Sequence, residues 1–330
     1  MSTTTRARLI DIGANLLDRR LHSGGLLSGK GTLLHDLDAV LRRADAANLA
    51  RIIVTGTNLK ESMDALALAR ELNASGAYSV KVHSTVGVHP TNTKELEFPD
   101  RGADSAARTR DKDEYVAALD GLIRDGITDG TVVAIGECGL DYDRLQFSPR
   151  DVQLAHFAFH LTLAERYSLP LFLHERNTGG ELMAILREAL PRLPPNPGVV
   201  HSFTGTTADL EVALSLGFDI GINGCSLKTA EQLENVRSVP LDRLHLETDA
   251  PWCDIRPGHA SFPFVRTKWP TSAKEKHDVG IIVKGRSEPC TIIQVLEVVA
   301  SAMGVADDDI AVAAANNGMR VFFNRGAERA

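Results

Sequence analysis

Short apolar runs alternate with longer amphipathic segments along almost the whole chain. Eight runs read as strands: 8–13, 51–56, 82–88, 132–137, 170–174, 198–202, 218–223 and 243–249. Several are continuous rather than alternating, as in Val132-Val133-Ala134-Ile135 and Leu169-Pro170-Leu171-Phe172-Leu173. That is the signature of strands covered on both faces, hence of a parallel sheet clothed by helices. Between the strands, periodic segments predict helices near 34–48, 59–73, 112–125, 149–167, 179–190, 207–216 and 227–236, with two more near 291–303 and 307–316. Ser148-Pro149 predicts a helix start, with Ser148 as N-cap and Pro149 in the first turn. Eight strands in strict alternation with helices predict an α/β fold, a single (β/α)8 or TIM barrel spanning 1–330. The turn after the first strand, Gly13-Ala14-Asn15, is not the Gly-rich turn of an open nucleotide-binding sheet. Two long stretches lack periodicity, 91–111 and 251–289. Both follow strands, which in a barrel places them on the face that carries chemistry.

Composition adds limits. Hydrophobic residues make up 43% of the 330, enough for a sizeable core. No run approaches the roughly 18 to 20 apolar residues of a membrane helix, so no membrane association is expected. The start of the chain is basic and rich in Ser and Thr without a long apolar run, which argues against a secretory signal and leaves only a weak organelle address open. Cys138, Cys225, Cys253 and Cys290 form no CxxC pair. This points away from a disulfide framework and toward a reducing, intracellular setting, cytoplasmic or nuclear. The net charge of −7 excludes nucleic-acid binding by the whole surface, so any such binding needs local positive charge.

Polar residues fall at informative places. Glu137, His174, His201 and Asp249 each end an apolar run. In a barrel the C-terminal strand ends converge, so these four could share a pocket. Singly, each has an ordinary structural explanation as a hydrogen-bonded or turn residue. Together, two imidazoles and two carboxylates without thiolates are a ligand set for Zn²⁺, Mn²⁺ or Mg²⁺. His89, just past the third strand, is placed at the rim as a phosphate contact or proton donor. His22, His35, His156, His160, His245 and His277 have no such constellation and read as surface or core residues. Cys138, next to Glu137, is expected to face the helices.

Between 256 and 286 lie Arg256, Arg266, Lys268, Lys274, Lys276, Lys284 and Arg286. Seven basic residues less Glu275 and Asp278 leave +5 in an acidic chain. The segment follows Asp249 and is expected to overhang the pocket as a phosphate-binding loop. Trp252 and Trp269 are placed to stack on bases, and Arg144 and Arg176 to add to the same field.

These residues sit in segments that resemble the TatD-family deoxyribonucleases: DIGANL at 11–16, TGTNL at 55–59, GVHP at 87–90, AIGECGLDYDR at 134–144, PLFLHERN at 170–177, VVHSFTGT at 199–206, IGINGCSLK at 220–228, LETDAPWC at 246–253 and RSEP at 286–289. The resemblance runs in order from about residue 9 to residue 324. It implies a barrel of the metal-dependent hydrolase type holding one or two divalent ions through Glu137, His174, His201 and Asp249. Many members carry a His-x-His pair on the first strand. Here Gly13 and Asn15 stand instead, which puts a full two-metal centre in question and makes Asn15 a substrate contact. The family implies hydrolysis of DNA, as a 3′-5′ exonuclease on single strands, in DNA repair or DNA breakdown. Asp249 would be ligand or general base, Glu137 a bridge, His89 a proton donor or phosphate contact, and Arg144, Arg176 and Arg286 contacts to the phosphate backbone. Two rival readings stay open: a metal hydrolase of an amide, lactone or aminoacyl ester, and a scaffold without catalysis. The resemblance assigns no protein partner and no role to the insertion at 93–111.

Overall fold

Eight parallel strands, hydrogen-bonded in chain order, ring a common axis: β1 (Leu9–Ala14), β2 (Leu49–Val54), β3 (Lys81–Val86), β4 (Val132–Asp141), β5 (Leu171–Arg176), β6 (Gly198–Val200), β7 (Asp219–Ile222) and β8 (Leu244–Leu246). This computed structural model describes residues 8–21, 36–97, 112–273, 276 and 278–324. The ring is drawn shut just past β8, where Ala250 bridges Ala14 and the Asp249 amide donates to the Gly13 carbonyl at 2.8 Å. Buried Asp11 adds to the seam by accepting from both the amide and the hydroxyl of Thr248, at 2.9 and 2.6 Å.

The outer layer comprises α1 (Leu37–Ala46), α2 (Leu59–Ser75), α3 (Lys94–Glu97), α4 (Lys112–Thr128), α5 (Arg150–Tyr167), α6 (Glu181–Ala189), α7 (Thr207–Ser215), α8 (Ala230–Ser238), α9 (Ile292–Met303) and α10 (Asp307–Gly318). Local chemistry starts several of them. Asn58 caps α2, and Thr206 and Thr229 form capping boxes for α7 and α8, satisfying amides that a helix start leaves without partners. Strand alternation splits the core in two. One set of strand residues, such as Ile52, Val54, Ile135, Leu171 and Ile220, packs with the helices. The other, Ile10, Ile12, Ile53, Val133, Phe172 and Val199, fills the barrel. Val321 and Phe322, in the turn after α10, join that inner cluster and plug the N-terminal end. Among the described residues no single helix is long and apolar enough to cross a membrane.

The structure departs from the pattern-based expectation in three places. Strand β4 runs on to Asp141 rather than stopping at 137, because β5 continues beside it to Arg176. Helix α5 begins one residue later than expected: Pro149 occupies the N-cap position, and the Ser148 hydroxyl instead meets Thr93 at 2.5 Å. Stretch 251–289 is not wholly irregular, since β9 (Thr271–Ser272) pairs in parallel with β10 (Ile282–Val283). Of the 93–111 insertion, α3 is described and residues 98–111 lie outside the described part, as do His22, His35, Lys274, Glu275 and His277.

Candidate metal centre

A cavity of about 820 Å³ opens at the C-terminal end of the barrel, and the segments following all eight strands contribute to its wall. Its floor is built around Glu137. The register between β4 and β5 slips there: Gly136 pairs with Phe172 and Cys138 with Leu173, so Glu137 is an inserted bulge residue. A bulge re-aims a side chain that regular pleating would send elsewhere. The Glu137 amide, freed from β5, donates to the Gly56 carbonyl at 2.8 Å. Cys138 is fully buried among the residues that pack with the helices, on the side expected for it.

Three imidazoles converge on Glu137 Oε1: His201 Nε2 at 2.8 Å, His174 Nδ1 at 2.9 Å and His89 Nε2 at 3.4 Å. The opposite nitrogens are also engaged. His174 Nε2 lies 3.1 Å from Asp141 Oδ2, and His201 Nδ1 lies 3.4 Å from Glu247 Oε2. A carboxylate at the far nitrogen fixes a ring hydrogen there, so the near nitrogen becomes a ligand when the proton it shares with Glu137 leaves, the arrangement that orients metal-binding histidines. His89 has the reverse polarity. The Thr91 amide donates to its Nδ1 at 3.1 Å, which leaves the ring hydrogen on Nε2, facing Glu137 and His174. His89 is therefore a hydrogen-bond donor set deep in the cluster rather than at its rim, although its ring atoms, with Glu137 and His174, form a trio within 4.8 Å.

The electrostatics follow from burial and proximity. Burial opposes ionisation of Glu137, yet the charge of His201 and the bonds from His174 and His201 overcome it and hold the carboxyl well below the usual range. Burial likewise opposes protonation of His201, but Glu137 and Glu247 outweigh it and raise this imidazole well above its ordinary value. For His89 burial prevails, and its pKa falls to about 3. Protons on His174 and His201 thus compensate the anionic cluster where a divalent cation could do the same. Once those near-side protons are displaced, two imidazole lone pairs and the Glu137 carboxylate, with no thiolate among them, suit a divalent ion of borderline or hard character.

Asp249 shares the cavity wall but keeps its own partners. Its Oδ1 accepts from Asn15 Nδ2 at 2.8 Å, its Oδ2 from the Cys253 thiol at 3.3 Å, and burial pushes its pKa up to about 7. The Thr55 hydroxyl fixes Asn15 by donating to its Oδ1 at 2.6 Å. Gly13 has a concrete reason to lack a side chain, since a Cβ there would lie 2.7 Å from Glu247 Oε2 and 2.9 Å from the Phe172 ring. The space of the first histidine in a His-x-His pair is filled here by the carboxylate that orients His201.

Arg144 and Arg176 line the cavity. Arg286 does not. It is 4% exposed and locked between Asp36 and Glu288, at 2.7 Å each, because its guanidinium neutralises two buried carboxylates. The overhanging basic loop is corrected with it. Of the described part of 251–289, only Trp252 and Cys253 reach the wall, while Arg266 pairs with Asp307 and Lys268 lies over Phe262. Trp269 is not on the wall. Lys228, from the segment after β7, is a cation the charge pattern did not single out. Asp141 and Glu247 were also missed. Asp141 ends β4 four residues after Glu137, and Glu247 lies just past the end of β8, two residues before Asp249.

The family model described as TatD related DNase matches residues 10–323. A protein of Schizosaccharomyces pombe named deoxyribonuclease Tat-D is 40% identical, over 92% of each chain. The 3′-5′ ssDNA/RNA exonuclease TatD of Erwinia amylovora is 34% identical, over 95% of this chain and 99% of its own. A crystal structure of a TatD-family hydrolase from Entamoeba histolytica superposes with a TM-score of 0.84 at 33% identity, covering 97% of this chain and 99% of that one. With the barrel and the segments around Glu137, His174, His201 and Asp249 inside the matched region, the chain belongs to the TatD-related DNase family.

Proposed function

We propose that the chain hydrolyses phosphodiester bonds of single-stranded DNA from the 3′ end, with a divalent cation held by Glu137, His174, His201 and Asp249. The observation that carries this reading is the pair of imidazole nitrogens at 2.8 and 2.9 Å from one Glu137 oxygen, each backed by its own carboxylate. The names of the Schizosaccharomyces and Erwinia relatives support the substrate and the direction. A cation there supplies Lewis-acid chemistry, offsetting charge on phosphoryl oxygens and making water a better nucleophile at neutral pH.

The chain's own groups do the rest. Asp249 takes the proton of the attacking water on its carboxylate, while Asn15 holds that carboxylate in place. His89, a neutral imidazole whose Nε2 hydrogen faces Glu137 and His174 at the cavity floor, donates that hydrogen bond to a phosphoryl oxygen. Arg144 and Arg176 set the backbone of the strand against the wall. The test uses purified protein on a 5′-labelled single strand with Mg²⁺ or Mn²⁺. Products shortened stepwise from the 3′ end, lost on chelation and restored by metal, are expected. Cleavage indifferent to chelator, or no cleavage with any divalent ion, overturns the reading.

A further inference from the structure

Among the described residues lining the cavity, Trp252 is the single Trp, Tyr or Phe, and it is 49% exposed. A half-exposed indole at a polar mouth retains an uncompensated apolar surface. One face of the ring is covered: the Arg20 guanidinium lies over it, 3.4 Å from the centroid. Arg20 is itself fixed. Asp18 grips its Nε and Nη2 with both oxygens, at 2.9 and 2.7 Å, and its carbonyl accepts from Arg286 Nη1 at 2.5 Å. Arg286 is the buried arginine clamped by Asp36 and Glu288. Behind Trp252 there is thus a relay of planar, charge-locked groups running back into the core. The Trp252 amide donates to the Asp249 carbonyl at 2.9 Å, so the ring rides on the same turn as that site carboxylate.

We propose that Trp252, backed by Arg20, is the stacking platform for the 3′-terminal nucleobase of the strand being cut. This deepens the nuclease reading and rests on it for the identity of the strand. An aromatic face accepts any base, because every base has a π-face, and the guanidinium behind it holds the plane in place before the substrate arrives. Arg286, expected from the sequence to touch phosphate, acts here as a positioning residue.

The test has a binding arm and a kinetic arm. In a Trp269→Phe background Trp252 is the only tryptophan. With chelator present, oligothymidylate should quench its emission to saturation, and the same strand ending in an abasic tetrahydrofuran residue should not. With metal, the wild-type protein should show a KM about tenfold higher on the abasic-ended strand, as expected for one lost base stack. Trp252→Ala should bring the two KM values together, and Trp252→Phe should restore part of the difference. Equal quenching by both strands, or a KM ratio unchanged in Trp252→Ala, overturns the platform. Cleavage with emission unmoved removes the platform and leaves the nuclease reading. Base-dependent quenching without cleavage under any divalent ion does the opposite.

Discussion

The two ends of the barrel each hold a buried carboxylate against a histidine, yet they are chemically unlike. At the N-terminal end, Asp219 at the start of β7 accepts from His245 Nε2 at 2.8 Å, from Arg320 Nη2 at 2.5 Å and from Arg243 Nη1 at 3.3 Å. Permanent cations already satisfy it. At the C-terminal end, Glu137 and Glu247 meet imidazoles, and guanidinium groups approach only the margin, Arg176 and Arg144 standing 3.7 and 3.9 Å from Asp141. There the compensating charge is carried by protons, which can be exchanged for another cation. A His–carboxylate pair is therefore not a site in itself; what distinguishes a site is that its countercharge is removable.

The sharpest way to break this comparison is Glu137→Gln. It should lower the rate on single-stranded DNA by about 10³-fold or more, roughly 4 kcal/mol of lost transition-state stabilisation, while the far-UV dichroism keeps the barrel signature. A rate within tenfold of wild type would remove Glu137 from the centre. Glu247→Gln acts one step further out, loosening His201, and should cost about 10- to 100-fold in activity or metal affinity. The matching change at the other pole, Asp219→Asn, should leave kcat within about twofold. It should lower stability to urea by about 2 kcal/mol, because charged hydrogen bonds are lost there without loss of any cavity residue. Equal activity losses at both poles would show that the distinction drawn from countercharge is empty.

How much of this was legible in the sequence depended on the scale of the signal. The strands and their order were readable because continuous apolar runs mark sheets covered on both faces, and the four candidate ligands because each ends such a run. The bulge at Glu137 was not, since a register slip is a relation between two strands, and neither was the extension of β4 to Asp141. The basic stretch misled for a physical reason. Charge counting sees Arg286 and Arg266 but not Asp36, Glu288 and Asp307, distant in sequence, which neutralise them in the fold. Glu247 was hidden by its neighbour Asp249 in one motif. Its role became visible only through the space beside Gly13 and its bond to His201.

His160 sharpens the comparison from a third position, as a buried histidine bonded to the backbone through both ring nitrogens. Its Nε2 accepts from the Val88 amide at 3.0 Å and its Nδ1 donates to the His156 carbonyl at 2.8 Å, pinning the turn that carries His89. Burial lowers its pKa from 6.5 to about 4. The folded protein thus keeps it neutral while the unfolded chain protonates below about 6.5, so its contribution is intact above that pH and is lost as pH falls toward 4. Between pH 7.5 and pH 5 this one group should remove about 2 kcal/mol of stability. In His160→Gln, whose amide can still accept from Val88, urea denaturation at the two pH values should show a fall smaller by that amount. An identical fall would mean that His160 does not titrate in this window.

The smallest expected effect concerns the permanent cations at the margin of the metal centre. Arg144 is half exposed and Arg176 partly so, and both already lean on Asp141, so neither is a preformed anion clamp. A phosphate drawn between them would gain two screened contacts, not a buried pair. Arg144→Ala should accordingly raise KM on single-stranded DNA only about threefold at low salt, with kcat little changed. The more discriminating quantity is the salt dependence: each lost phosphate contact on a single strand should reduce the slope of log affinity against log salt by about 0.7. Arg266→Met serves as the control, since this exposed guanidinium pairs with Asp307 away from the cavity wall, and its slope should match the wild type. If Arg266→Met flattened the slope and Arg144→Ala did not, the basic loop would be the phosphate contact and the mouth of the cavity would not.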